Sequence, residues 1–449
     1  MKRIIILLLV LIILMSGCKV INGNTVQSTD KITSSSEKET TTDFHQIESV
    51  PDTSGINTIP NTSIRKTENG KTTQSSEKNT VASERETHKI VSETISSSNT
   101  NEIMKAVWIS FYEMSMQEYK GGTEEQFRQK FKTMFEKIKS HGLNTVFAQV
   151  RPYSDSFYPS KVYPWSELIT GVQGKNPGYD PLKIIVELAH EYSIKVHAWI
   201  NPFRVSKKND LESLSDNNIA KIWLSDNDKS NDSFVFRSDL GIYFNPSVPE
   251  VHALIFSGVR EIIENYDIDG IHIDDYFYPT VSEKIDKVQY ESYCKNGGSS
   301  KLADWRRGCI NSFVSGLYSL VKAEDKNLIV SISPSAKIDT NYNQMYADVV
   351  LWSQSAGYTD YIIPQIYFGF KHEKLPFKSV ADEWNELTIE SDVKLVFGLA
   401  QYKSGTVDEY AGSGKNEWID NKYVIEQQIS YVKQLSGYYG YSLFSYGYL

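Results

Sequence analysis

Cysteine is scarce in this chain: three in 449 residues, at Cys18, Cys294 and Cys309. So few thiols exclude a disulfide-stapled scaffold, and no spacing among them suits a thiolate metal site. Basic clusters are missing too. Lysine plus arginine number 47 against 56 acidic residues, a formal charge of −9, so nucleic acid is not an expected partner. No apolar run reaches the roughly 20 residues of a membrane-spanning helix; the longest is Ile4 to Met15. The stretch SDNDKSND (225–232) has the carboxylates of a calcium loop. However, Asn231 stands where such a loop needs glycine and Arg237 where it needs a bidentate glutamate, so a solvated loop is expected and no metal or other cofactor. Cys309 shares an apolar helical face with Trp305 and Phe313, and both body cysteines are expected as free thiols.

Aromatics are nearly absent from residues 19–102, where Phe44 stands alone among Ser, Thr, Asn, Lys and Glu. Such a stretch cannot bury enough apolar surface to offset its ordering entropy, so it reads as a disordered tether, with a root-mean-square span of roughly 50 Å. Ahead of it, Lys2 and Arg3, the short apolar run and Ser16-Gly17-Cys18 form an export signal over residues 1–17. Small residues before a cysteine resemble the lipobox of bacterial lipoproteins, which implies acylation of Cys18, a lipid anchor at the cell membrane and an extracytoplasmic body. Three units follow: signal 1–17, tether 18–102 and body 103–449.

The body holds all eight tryptophans. Short apolar segments recur along it: 105–112, 144–151, 195–202, 268–275, 328–333, 361–367, 394–400 and 441–446. Helical periodicity lies between them, as in 124–142 and 302–322. Alternating strands and helices predict an α/β (β/α)8 TIM barrel. The competing doubly wound sheet would carry a glycine-rich phosphate turn after its first strand, and none is there.

In a barrel, alternate strand residues face the helices and should be apolar. That phase sends Gln149 and Arg151 inward from the second strand and His197, Trp199 and Asn201 from the third. His272 and Asp274 follow from the fourth, Ser331 and Ser333 from the fifth, and Gln365 and Tyr367 from the sixth. His197 and His272, deeper in, are expected as hydrogen-bonded core residues. Asp274 is then the last inward residue of its strand, and Asp275 opens the loop over the C-terminal mouth, where barrel active sites lie.

With these strand ends placed, the motifs KAVWIS, FAQVRPYSDSFYPS with VYPWS, NPGYDPL, HAWINPFRV, GIHIDDYFYP, DYIIPQIY and FSYGYL resemble a known family. It is the glycosyl-hydrolase-like family related to glycoside hydrolase family ten, which includes lipoproteins acting on the glycan strands of peptidoglycan. The resemblance spans about residues 103–449. It implies a polysaccharide substrate, with Arg151, Asp155, Asn201, Arg204, Asp274, Asp275 and Gln365 at the saccharide site.

Glycoside hydrolysis ordinarily needs two carboxyls, yet the seventh strand ends in Gln401 and Tyr402, without an acid. Two mechanisms stay open. In one, Asp274 and Asp275 act together on an N-acetyl sugar, one orienting the 2-acetamido group that attacks the anomeric carbon and the other protonating the leaving oxygen. In the other, Asp155 supplies the second carboxyl from the loop after strand two; a plain turn aspartate is the alternative there. Tyr153, Tyr158, Trp165, Tyr276, Phe277, Tyr278, Tyr367 and Phe368 follow strand ends and offer ring faces for sugars. Arg151 and Arg204 offer forks for a sugar carboxylate, or ion-pair partners for Asp274 and Asp275. The expected activity is hydrolysis of β-linked N-acetylated wall glycan, with another capsular or biofilm polysaccharide, or a silent glycan-binding barrel, as alternatives.

Overall fold

The computed structural model describes residues 102–120, 122–388 and 391–449; the signal, Cys18 and all of the tether but Glu102 lie outside them. Twelve strands occur among the described residues. They are β1 (Met104–Ile109), β2 (Thr145–Arg151), β3 (Lys195–Ile200), β4 (Arg204–Ser206), β5 (Val235–Ser238), β6 (Gly241–Phe244), β7 (Gly270–Ile273), β8 (Ile329–Ile332), β9 (Tyr361–Ile362), β10 (Gln365–Ile366), β11 (Lys394–Leu399) and β12 (Tyr438–Leu443). A parallel ring runs β1-β2-β3-β7-β8-β9 and closes through β11 and β12 onto β1. This is the expected (β/α)8 barrel.

Wall helices alternate with the strands: α1 (Glu124–Ser140), α2 (Pro181–Glu191), α3 (Pro249–Asn265), α4 (Leu302–Glu324), α5 (Val349–Gln354), α6 (Phe377–Thr388) and α7 (Val424–Val432). Local chemistry sets their starts. Thr123 caps α1 through a reciprocal box with Gln126. Asp180 caps α2, with Pro181 in the first turn where its missing N–H is harmless.

Three strand expectations are corrected. The sixth position is two short strands, because Pro364 has no N–H for the ladder; its carbonyl instead accepts from Gly398 N at 3.0 Å. The eighth strand starts at Tyr438, where the close approach of Gly440 to the Met104 carbonyl admits no side chain. The first ends at Ile109, because Ser110 and Glu113 form a capping box that turns the chain into a short helix, Phe111–Met114. The segment after β3 also holds an unexpected antiparallel sheet, β4-β6-β5.

The lumen is polar and aromatic. Trp108 Nε1 donates to His272 Nε2 at 3.1 Å, so His272 Nδ1 carries the proton toward Ser331 Oγ, 2.9 Å away. His197 Nδ1 lies 3.4 Å from the same hydroxyl, and Phe147 stacks 4.2 Å from the His272 ring. Burial pushes His197 down to about 4 and His272 well below its ordinary range. Both are neutral core groups, as expected. Gly270 opens β7 because a Cβ there would meet His197 Nδ1 at 2.8 Å.

The loop after β7 is clamped from α4. The Arg306–Asp286 pair is fully buried, with side-chain exposures of 0% and 0%. Arg306 Nε and Nη2 donate to the two Asp286 oxygens at 2.7 and 2.6 Å. Its other donors reach Val281 O, Ser282 O and the Tyr346 hydroxyl at 3.0, 2.9 and 2.9 Å. Tyr278 OH donates to Asp286 Oδ2 at 2.9 Å. Arg306→Met strands a buried carboxylate and is expected to cost about 3–5 kcal/mol in urea unfolding. Adding Asp286→Leu should recover much of that loss; a double variant no more stable than the single one would contradict this account.

Candidate active site

Asp274 leaves β7 only 4% exposed. Its Oδ2 accepts from Trp199 Nε1 at 3.0 Å and from Asn201 Nδ2 at 3.4 Å; Oδ1 has only a long bond, 3.4 Å, from Tyr276 N. Both donors come from the end of β3, one strand away. Asp275 is half-buried at the rim and is bonded by the Gln365 amide, which also donates to Ser333 O at 3.0 Å. Burial, then repulsion from Asp275, pushes Asp274 up to about 7; the Trp199 and Tyr276 bonds and the Arg204 charge oppose this. Burial likewise pushes Asp275 up to about 6, against the Gln365 bond. The pair therefore holds a proton close to neutrality, as a general acid requires.

Arg204, on β4, is the cation of the mouth. Its guanidinium lies 5.4 Å from the Tyr153 ring centre and 5.0 Å from that of Tyr276. The Nε is buried with no hydrogen-bond partner, and no carboxylate within ion-pair distance is found for Arg204 among the described residues. Asn201 fixes the turn beneath it, Oδ1 accepting from Arg204 N at 3.2 Å while Nδ2 holds Asp274.

Three of the expected sugar-contact residues are buried behind the mouth. Arg151 is 1% exposed and donates to the backbone carbonyls of Tyr153, Asn201 and Pro202 at 3.3, 2.5 and 3.0 Å. It ties the end of β2 to the end of β3 because those loop carbonyls have no strand partners. Gln149 is 4% exposed and accepts from Phe111 N at 3.1 Å. Tyr158 is 1% exposed and packs edge-on against Tyr266 at 6.0 Å. All three position loops.

Asp155 is 1% exposed. Its Oδ2 accepts from Gln173 Nε2 at 3.2 Å, while Oδ1 is buried without a partner. Burial pushes it up to about 7, against bonds from Gln173 and Ser166. Trp165 is half-buried and pairs through its backbone with Ser156. Of the other rings, Phe277 packs on Trp352 and Phe368 on His372, and Tyr278 serves the Arg306 clamp. Tyr276, 42% exposed, opens onto solvent. Tyr367, 6% exposed, packs against Tyr402 and Phe444, and its hydroxyl feels both aspartate charges.

Tyr112 escaped the sequence reading. It is 41% exposed, stacked 4.1 Å from Phe111, with Lys207 Nζ 5.8 Å from its ring centre. The signal for it was the capping box, which ends β1 before Tyr112. The segment after β11 does contain acids, and its two buried ones are occupied: Asp408 Oδ2 pairs with Lys403 Nζ at 2.9 Å, and Glu417 Oε2 accepts from Lys371 N at 2.7 Å. Among the described residues no group of three His, Cys, Asp or Glu side chains converges to hold a metal ion. Cys294 is exposed and Cys309 half-buried, with no disulfide between them.

The profile of the glycosyl hydrolase-like 10 family matches residues 103–413, from β1 through the segment after β11. The chain is 32% identical over 359 residues to glycosyl hydrolase YngK of Bacillus subtilis (strain 168), covering 76% of this chain and 68% of that one. To glycosyl hydrolase DigH of Escherichia coli (strain K12) it is 35% identical over 288 residues, covering 59% of this chain and 63% of DigH, less than two thirds of that protein. Among solved structures, a chitinase from Bacteroides thetaiotaomicron superposes with a TM-score of 0.41 at 15% identity, covering 76% of this chain and 89% of that one.

The raised aspartate has a thermodynamic signature. A carboxyl pushed from 3.8 to about 7 by folding stabilises the native state fully below its unfolded value and loses that contribution as pH rises through about 7. Asp274→Asn is neutral throughout. The difference in melting temperature, variant minus wild type, should therefore grow from pH 4 to pH 8. A difference flat across that range would show that Asp274 ionises normally.

Proposed function

The chain belongs to the glycosyl hydrolase-like 10 family, and with it to the glycoside hydrolases; we propose that it cleaves a β-linked N-acetylated cell-wall glycan of peptidoglycan type by substrate-assisted catalysis. The observation that carries this reading is the paired carboxyls at the end of β7, one enclosed and hydrogen-bonded from behind, one open to the mouth. The two buried acids after β11, Asp408 and Glu417, are bound to Lys403 and to the Lys371 backbone.

The roles follow from access. Asp275, at the rim, gives its proton to the glycosidic oxygen as the bond from the anomeric carbon breaks. The substrate's acetamido oxygen attacks that carbon and closes a five-membered ring. The pair shares one proton near neutrality; with that proton on Asp275, Asp274 is the carboxylate that accepts the acetamide N–H at Oδ1 and steadies the positive charge that develops on the ring. Water then adds to the anomeric carbon as the bond from that carbon to the acetamido oxygen breaks, which opens the ring and restores the acetamide; the water gives its proton to Asp275, which regenerates the acid. Substrate-assisted glycosidases are established exceptions to the paired-carboxylate displacement. Arg204 gives the mouth a guanidinium that is in no ion pair among the described residues and is suited to the carboxylate of a lactyl-substituted sugar, and Tyr276 gives it a ring face.

Replacing either aspartate with Asn should lower turnover at least about 10²-fold, the low end for loss of a general acid, without loss of fold. The two losses should not add, since both disable one transition state. A substrate with hydroxyl in place of acetamido should be nearly inert, and brisk cleavage of it would rule out acetamide participation. Asp155→Asn then becomes the decisive variant, with inactivity there assigning the second carboxyl to the loop after β2. Release of reducing ends from a capsular or biofilm glycan alone would move the substrate elsewhere, and no release from any glycan would leave a binding barrel.

The same proposal places the body outside the cytoplasm, held at the cell membrane by acylated Cys18. Its support is the run of small residues Ser16-Gly17 before the cysteine. Cys18→Ala should release the protein from the membrane fraction with turnover unchanged; continued membrane retention would sink the anchor.

A further inference from the structure

The loop after β10 has two ends with different surroundings. Tyr367 faces the aspartate pair. Three and four residues on, Phe370 and Lys371 border an open groove of 690 Å³ lined mainly by α7 and the segment that leads into it. An extended chain spans at most about 3.3–3.6 Å per residue, so the groove begins within roughly 14 Å of Tyr367 along this loop. Its walls are tied to the same loop: Gln428 Nε2 of α7 donates to Phe368 O at 2.8 Å, and Glu417 Oε2 accepts from Lys371 N at 2.7 Å. Groove and catalytic rim are therefore fixed relative to one another.

The lining has a consistent chemistry. Tyr423 presents a ring that is 54% exposed. Tyr431 is held by its hydroxyl, which donates to Asp382 Oδ1 at 2.7 Å, with Lys378 Nζ 4.8 Å from the ring centre. Gln427 accepts from Asn421 Nδ2 at 2.9 Å, which leaves its own amide N–H donors for a ligand, and Gln434 stands exposed at the far end. Two tyrosine rings, with Lys378 and Lys422 ammonium groups 4.8 and 4.9 Å from their centres, stand among amides and the charged Lys371, Glu417 and Glu426, a polar and aromatic mixture that matches a pyranose ring with its hydroxyl and acetamido groups. They do not match a protein partner, which would need a contiguous apolar core.

We propose that this groove is a second glycan-binding site, taking an N-acetylated polysaccharide segment several sugars away from the bond being cut. The proposal rests on the functional reading above. Two sites on one rigid body make the second contact intramolecular, so a long strand is retained far better than a short one without any change at the catalytic centre.

The test uses the full chain and its Tyr423→Ala, Gln434→Ala double variant, both substitutions being at exposed positions. Co-sedimentation with insoluble poly-N-acetylglucosamine should show retention weakened at least about 10-fold, the scale on which a second contact acts. Meanwhile kcat/KM on a soluble short oligomer of the same sugar should stay within about twofold. Polymer retention equal to wild type overturns the proposal, as does an equal loss on both substrates. Sedimentation needs no turnover. A wild type that sediments through Tyr423 and Gln434 but cuts nothing would overturn the proposed activity and keep the groove; one that cuts the oligomer but sediments like the variant would do the reverse.

Discussion

Two carboxyl groups side by side at the end of a buried strand repel each other, and the barrel mouth is arranged around that repulsion. Trp199 and Asn201 hold Asp274 from β3, Gln365 holds Asp275 from β10, and Arg204 supplies positive charge without closing into an ion pair. Had either arginine paired directly with the aspartates, the shift upward would have been cancelled and the proton lost. Arg151 is instead directed at backbone carbonyls. The arrangement destabilises the folded state near neutral pH in order to keep an acid protonated there, the usual exchange of stability for chemistry at a working site.

Such a site needs a rigid floor. The Trp108–His272–Ser331 chain gives one: each member has one geometry in which its donor and acceptor are both satisfied. Burial holds both imidazoles neutral over the range in which the aspartates titrate, so the floor does not respond while the carboxyls above it change charge. From outside, the Arg306–Asp286 fork fixes the loop that begins with Asp275. A buried ion pair is weak ground for stability but good ground for a unique loop position.

The barrel was legible because its signals are local and repeated: strand periodicity, capping residues and a lumen-facing phase that placed Asp274, His272 and Ser331 correctly. What the sequence hid depends on partners distant in the chain. Arg151 and Arg204 share the same chemistry in isolation, and only tertiary contact separates the loop clamp from the open cation. Glu417 is tied to the backbone of Lys371, 46 residues earlier, a contact that no local pattern shows. The β4-β6-β5 sheet was missed because its three strands are short and interrupted by polar turns. Two misplacements did have signals: Pro364, which splits the sixth strand, and the Ser110–Glu113 box, which ends the first.

The capping box also shapes the mouth beside β1. By turning the chain at Ser110, it lifts Phe111 and Tyr112 out of the ladder, with Phe111 beside Tyr153, while Glu113 accepts from Ser445 Oγ and Gly447 N after β12, the strand that pairs with β1. One glutamate thus terminates the first strand, anchors the segment after the last and sets an aromatic edge next to Arg204. That edge continues through Tyr153 and Arg204 to Tyr276, all held by contacts from β1, β2, β4 and the loop after β7. The binding surface is therefore a property of strand termination: where each strand stops decides which side chains line the barrel and which are free to meet a glycan.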